Sequence, residues 1–139
     1  MKNLKDPKKI LIIKLGALGD VIMAEGIMRC VRKHYQKAKI SLITEPLYAR
    51  FMQKAPHLDE VISYKRVPRW HFFSQLATKS QLKLADYDLV IDLQNSSHSI
   101  RLQSWLQNAF ISSTSKYADI KYSRDPLRGL ASREYLREQ

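Results

Sequence analysis

Short apolar runs alternate with longer amphipathic stretches along this chain. Ile10–Leu15 is rich in Ile and Leu, is interrupted only by Lys14 and stops at Gly16, which is the pattern of a buried strand. Lys39–Thr44, Glu60–Tyr64 and Asp88–Leu93 repeat it, and Phe110–Ser112 is a weaker fifth candidate. Between them the spacing becomes helical. Asp20–Tyr35 sets Val21, Ala24, Met28, Val31 and Tyr35 at intervals of three and four, although Gly26 inside it costs about 1 kcal/mol against Ala. Pro46 suits a first turn and predicts a short helix over Leu47–Lys54. Pro68 breaks the chain. Arg69–Leu84 then reads as a helix with Trp70, Phe73 and Leu76 on one face and Trp70 in the core. Ser99–Ala109 reads as a helix that turns Ile100 or Leu102, Trp105 and Leu106 inward, and Pro126 opens a last helix over Leu127–Arg137. Beyond the weak strand, Phe110–Tyr122 is too polar to assign.

Strands that alternate with helices imply an α/β fold made of parallel β-α-β units. Right-handed crossovers give a Rossmann-like, doubly wound, mostly parallel sheet. An order of 3-2-1-4-5 puts the reversal between the first and fourth strands. Ligands bind at such a point, off the carboxyl ends of the strands.

The chain's 139 residues suit one domain, and 45% apolar with 27% charged residues is globular composition. A chain of this length buries roughly 68% of its unfolded surface, enough for a core without metal or disulfide. The single cysteine, Cys30, cannot form an internal bridge, which points to a reducing cytoplasm. Met1–Lys9 is basic like the start of a signal peptide, but Ile10–Ile13 is too short for its apolar region. No apolar run approaches the roughly 18 residues of a spanning helix. The 24 basic residues against 13 acidic ones give +11, which attracts polyanions: nucleic acid, an anionic membrane or phosphorylated substrates. No helix-turn-helix, RNP or zinc-finger signature is readable.

Candidate chemistry gathers at the predicted carboxyl edge. Gly16 and Gly19 lie between the first strand and first helix and would admit a ligand close to backbone N–H groups. Their G-x-x-G spacing is neither the dinucleotide fingerprint nor a Walker loop. Asp20 reads either as the helix N-cap or as a carboxylate free to take a proton from a substrate hydroxyl. Asp92-Leu93-Gln94-Asn95-Ser96-Ser97-His98-Ser99 follows the fourth strand. It reads as a polar turn with Ser97 or Ser99 as cap, or as a set of amides and hydroxyls for a sugar or phosphate. Asp92, inside a buried strand, would point away from the cleft. Residues 61–85 carry Lys65, Arg66, Arg69, Lys79 and Lys83 and no acid, so they form either a solvated face or an anion cradle that Arg124 could join. Arg32 and Lys33 fall on the first helix's expected outer face. His34, His57, His71 and His98 show no metal-ligand spacing.

Several stretches, in order, resemble the N-terminal half of glycosyltransferase family 9, the lipopolysaccharide heptosyltransferases. They are KILIIKLGALGDVIMA, ITEP, HLDEVI, YDLVIDLQNSSHS and the terminal SRDPLRGLASREY. The resemblance implies the first half of a GT-B architecture, in which residues 1–139 form an acceptor-binding domain. That domain is expected to be incomplete at its C-terminal end, with the donor domain for ADP-heptose absent from the chain. It implies inverting heptose transfer to the Kdo/heptose inner core of a lipid A precursor, with no cofactor or metal, and with Asp20 as base. Gly16, Gly19, Gln94 and Asn95 would lie on the acceptor, with Lys65, Arg66, Arg69 and Arg124 on its phosphate or carboxylate. The resemblance further implies a cytoplasmic protein in peripheral contact with the anionic inner membrane face, and no nucleic acid. Two departures stand out: Asn95 replaces a frequent glycine and His98 a basic residue. The chain alone is expected to be inactive. The rival readings are a non-catalytic polyanion-binding Rossmann module and a degenerate remnant.

Overall fold

The computed structural model describes residues 6–68 and 70–121. The expected helix Leu127–Arg137, together with Arg69 and Arg124, lies outside the described residues. The strands are β1 (Lys9–Ile13), β2 (Lys39–Thr44), β3 (Glu60–Ser63), β4 (Leu89–Asp92), β5 (Phe110–Ser113) and β6 (Ile120–Lys121). The helices are α1 (Leu18–His34), α2 (Pro46–Met52), α3 (Phe72–Ala85) and α4 (Ser97–Ser104).

The strands form one parallel sheet in the order β3-β2-β1-β4-β5-β6, so the reversal falls between β1 and β4 as the alternation predicts. Ile13 is level with both Ile43 and Asp92, which brings the loops after β1, β2 and β4 to one edge. The two-residue side-chain period then divides the core. Ile10 and Ile12 join Ile40, Leu42 and Ile91 on one face, under Val21, Ala24 and Met28 of α1 and Met52 of α2. Leu11 and Ile13 join Ile43, Val90 and Ile111 on the other, under Leu82 of α3 and Leu102 of α4. Helices on both faces explain why β1 is apolar without alternation: Ile10, Leu11, Ile12 and Ile13 are all 0% exposed. Each such side chain contributes about 1.5–3 kcal/mol relative to exposure.

The structure corrects several boundaries. α1 starts at Leu18 rather than Asp20, with Ala17 as N-cap and no side-chain cap. α4 starts at Ser97, and its cap is Ser96 rather than Ser97 or Ser99; Ser96 and Ser99 form a reciprocal capping box. α4 also ends at Ser104, short of Ala109. β6 adds a strand within the stretch left unassigned. The largest correction is Trp70. It precedes α3 and is 80% exposed, and Phe73 and Leu76 are also exposed. Helical spacing identifies an apolar face but not what lies against it, and α3 buries only Leu82. Arg32 is not an idle outer-face residue. Its guanidinium donates to the carbonyls of His57, Gln36 and Ala38 and pairs with Asp59, tying α1 to the chain on either side of β2.

Candidate functional site

The loop after β1 is held from both flanks at the switch point. The Leu15 carbonyl accepts from the Glu45 N–H at 3.2 Å and from Thr44 Oγ1 at 3.3 Å, both at the end of β2. From the β4 side, Gln94 Oε1 accepts from the N–H groups of Leu15 at 3.1 Å and Gly16 at 3.3 Å. The backbone donors expected to meet a ligand at Gly16 are therefore spent on Gln94. Gln94 for its part turns its carbonyl oxygen to the loop. Its Nε2 makes no hydrogen bond with the described residues and is the end left for an acceptor.

Gly16 is needed for space. A Cβ there would stand 2.8 Å from Tyr48 Cε2, 3.1 Å from Glu45 Oε2 and 3.2 Å from Arg66 Nη2. A Cβ on Gly19 would meet nothing within 4 Å, so close approach accounts for the first glycine and not the second.

Asp20 lies one residue further, in the first turn of α1. It does not cap the helix, which removes the plainer of its two readings. It is half-buried and makes no hydrogen bond or ion pair with any described residue. A carboxylate spared from capping keeps its lone pairs for a proton from elsewhere.

Asp92 is scaffolding. It is 0% exposed and accepts from the N–H groups of Gln94 at 2.8 Å and Asn95 at 2.9 Å, and from Gln103 Nε2. Burial raises its pKa, and the hydrogen bonds from Asn95, Ser99, Gln94 and Gln103 oppose that. Gln103 Oε1 in turn accepts from Ser113 Oγ at 2.9 Å and from Ser115 Oγ, so the network joins β4, α4 and β5. Asn95 has φ 51°, a left-handed conformation that glycine and asparagine both adopt, and this accounts for Asn where the resemblance expects Gly. Its Oδ1 accepts from the Thr114 N–H and Oγ1, both at 3.1 Å, fastening this turn to the segment after β5.

Cationic groups face this edge. Arg66 Nε donates to Glu45 Oε1 at 2.6 Å, and Lys65 beside it is exposed. Arg101 on α4 reaches the β3–α3 connection, where Nη1 donates to the Val67 carbonyl at 3.2 Å. Burial lowers the His98 pKa, Arg101 and Arg66 push the same way, and Glu45 opposes them. Burial raises the Tyr64 phenol while Arg101 and Arg66 oppose it. Two guanidiniums, one carboxylate and an imidazole whose charged form is disfavoured thus share one electrostatic neighbourhood, in which the cationic side chains outnumber the carboxylate. Of the expected cradle, the structure brings Arg66 to this edge and leaves Lys65 exposed beside it, whereas Arg69 and Arg124 lie outside the described residues. Sequence reasoning did not select Arg101, Glu45 or Tyr48. The signal for Arg101 was its position three residues after His98, on the same side of a helix. No three His, Cys, Asp or Glu side chains come together as a metal-binding group among the described residues.

No family model and no curated protein sequence matches the chain. Solved structures do. A glycosyl transferase family 9 protein from Veillonella parvula superposes with a TM-score of 0.77 over 93% of this chain at 20% identity. This is the fold of glycosyltransferase family 9. Two E. coli members of that fold group match as well. Heptosyltransferase WaaC with ADP-2-deoxy-2-fluoro heptose gives a TM-score of 0.66 over 94% of this chain at 17% identity. ADP-heptose LPS heptosyltransferase II gives 0.63 over 76% at 20% identity. The chain spans 39%, 46% and 30% of the lengths of these three. The Rossmann-like, doubly wound parallel sheet is therefore shared with the family 9 enzymes over most of this chain and less than half of theirs.

Proposed function

We propose that this chain is the acceptor-binding N-terminal domain of a family 9 glycosyltransferase. The observation that carries the reading is Asp20, a half-buried carboxylate without a partner among the described residues, at the switch point of a family 9 fold. The whole protein would move heptose from ADP-heptose onto the Kdo/heptose inner core of lipid A, inverting the anomeric carbon. Asp20 would take the acceptor hydroxyl's proton as the new C–O bond forms. Arg66 and Arg101, with Lys65 beside them, would hold acceptor phosphate or carboxylate, where guanidinium groups give bidentate contacts. Gln94 would position the Gly16 loop and offer Nε2 to a sugar hydroxyl. The protein would work in the cytoplasm, at the inner membrane face. Donor and acceptor would meet across the cleft between two such domains, and orientation of the two substrates is worth about 7–11 kcal/mol of such a barrier.

The experiment has two arms. Binding of a soluble Kdo-containing acceptor to this chain should saturate and compete poorly with DNA. Equal binding to both would favour a non-catalytic polyanion module, which the charge of +11 by itself also fits. In a two-domain enzyme carrying this domain, Asp20→Asn should lower single-turnover transfer by roughly 10² or more. It should cost only the helix-dipole interaction, about 0.3–1 kcal/mol, in stability. Near-normal transfer with normal melting would remove Asp20 as the base.

A further inference from the structure

The approach to α3 and its first half carry an apolar surface that the sheet does not use. Trp70, Phe72 and Phe73 are 80%, 61% and 83% exposed, and Leu76 is 42% exposed. The Phe72 and Phe73 rings meet edge to face at 5.4 Å, so the two aromatics pack on each other. At 3.6 residues per turn, Phe72, Leu76, Lys79 and Lys83 fall in one stripe, with the exposed Phe73 about 100° to one side of Phe72 and the buried Leu82 about 80° to the other, so the stripe runs beside the edge that α3 buries. Along the chain this stretch is of one sign: residues 61–85 contain five basic residues and neither Asp nor Glu. Exposed aromatics beside lysines on a helix of low overall hydropathy are the composition of a segment that lies in a bilayer interface. An anionic lipid surface complements the acid-free charge, and Lys side chains can follow the apolar stripe while keeping their ammonium groups at the headgroups.

We propose that Trp70, Phe72, Phe73 and Leu76 insert into the interface of an anionic bilayer, with Lys79 and Lys83 on lipid phosphates. The proposal rests on the reading of the chain as a domain that meets its acceptor at a membrane, and it names the element that makes the contact.

The chain has two tryptophans, so Trp105→Phe leaves Trp70 as the sole tryptophan fluorophore. Phosphatidylcholine vesicles with and without phosphatidylglycerol, carrying brominated acyl chains, serve as the probe. The expected result is quenching of Trp70 in the anionic vesicles and little in the neutral ones. Replacing Phe72 and Phe73 together by Ser should weaken vesicle binding roughly tenfold or more, from the lost apolar burial. Leu47→Ser should leave it unchanged, since Leu47 is 73% exposed on α2, over the opposite face of the sheet. Thermal melting checks each variant, and these exposed positions should melt as the parent does. Vesicle binding without quenching, an unaffected double variant, or no vesicle binding at all would overturn the proposal. A soluble deacylated Kdo acceptor separates the two readings. If it binds while vesicles do not, the bilayer contact fails and the proposed function stands. If vesicles bind and the acceptor does not, the reverse holds.

Discussion

Arg66 and Glu45 form an ion pair at 2.6 Å that links the connection after β3 to the start of α2, over Gly16. Both side chains are about one-third exposed, so the pair contributes only about 0–1 kcal/mol to stability. Its larger effect is on the site, since Glu45 offsets a charge that an anionic ligand would otherwise meet in full. Glu45→Gln should tighten binding of a phosphorylated acceptor. Arg66→Glu should weaken it at least tenfold and flatten its salt dependence, with Lys33→Glu as the control. Titrations at two salt concentrations check this, and identical curves for all three variants would remove Arg66 from the site.

Gly16 and Gly19 should part company on substitution. Gly16→Ala drives a methyl group into Tyr48 and towards the Glu45–Arg66 pair and should cost about 1–3 kcal/mol. Gly19→Ala meets open space inside the first turn of α1 and should be neutral or stabilising by about 0.5–1 kcal/mol. Urea denaturation of the two variants measures the contrast directly.

Asp92→Asn should destabilise the fold by about 1–3 kcal/mol despite its near-identical shape. The new amide would turn a donor towards Gln103 Nε2, itself a donor, and rotating Gln103 would take its carbonyl from Ser113 and Ser115. If the Asp92→Asn variant melted like the parent, Asp92 would not be the anchor of this network.

The pH dependence of stability should carry the signature of two histidines. His57 is 6% exposed with neither ring nitrogen hydrogen-bonded, and burial holds its pKa below 6.5; Glu25 opposes this, while Arg29 and Arg32 add to it. His98 is shifted in the same direction. The unfolded chain therefore takes up protons first as pH falls, and stability is lost from about pH 6.5 downward, through the lowered folded-state values. Asp92 works in the opposite sense, since a pKa raised above 3.8 makes acid relieve a buried charge. Melting curves of His57→Leu beside the parent isolate the histidine contribution. The variant should gain on the parent between pH 7 and pH 5, and a constant difference would exclude it.

The hydrophobic pattern determined the sheet. Unbroken apolar runs such as Ile10–Ile13 fit strands covered on both faces, and helical spacing between them leaves parallel crossovers as the economical connection. The same pattern located the carboxyl edge, and with it Gly16, Asp20, Arg66 and Gln94. Tertiary structure decided what each residue does there. Asp92 and Gln94 sit two apart in the sequence, yet one is sealed beneath a turn and the other reaches across to the neighbouring loop. Arg101 and Glu45 meet one neighbourhood from segments far apart in the chain, which no local spacing encodes. Trp70 makes the same point from the surface. Its spacing announced an apolar face, but burial depends on whether another element arrives to cover that face, and among the described residues none does.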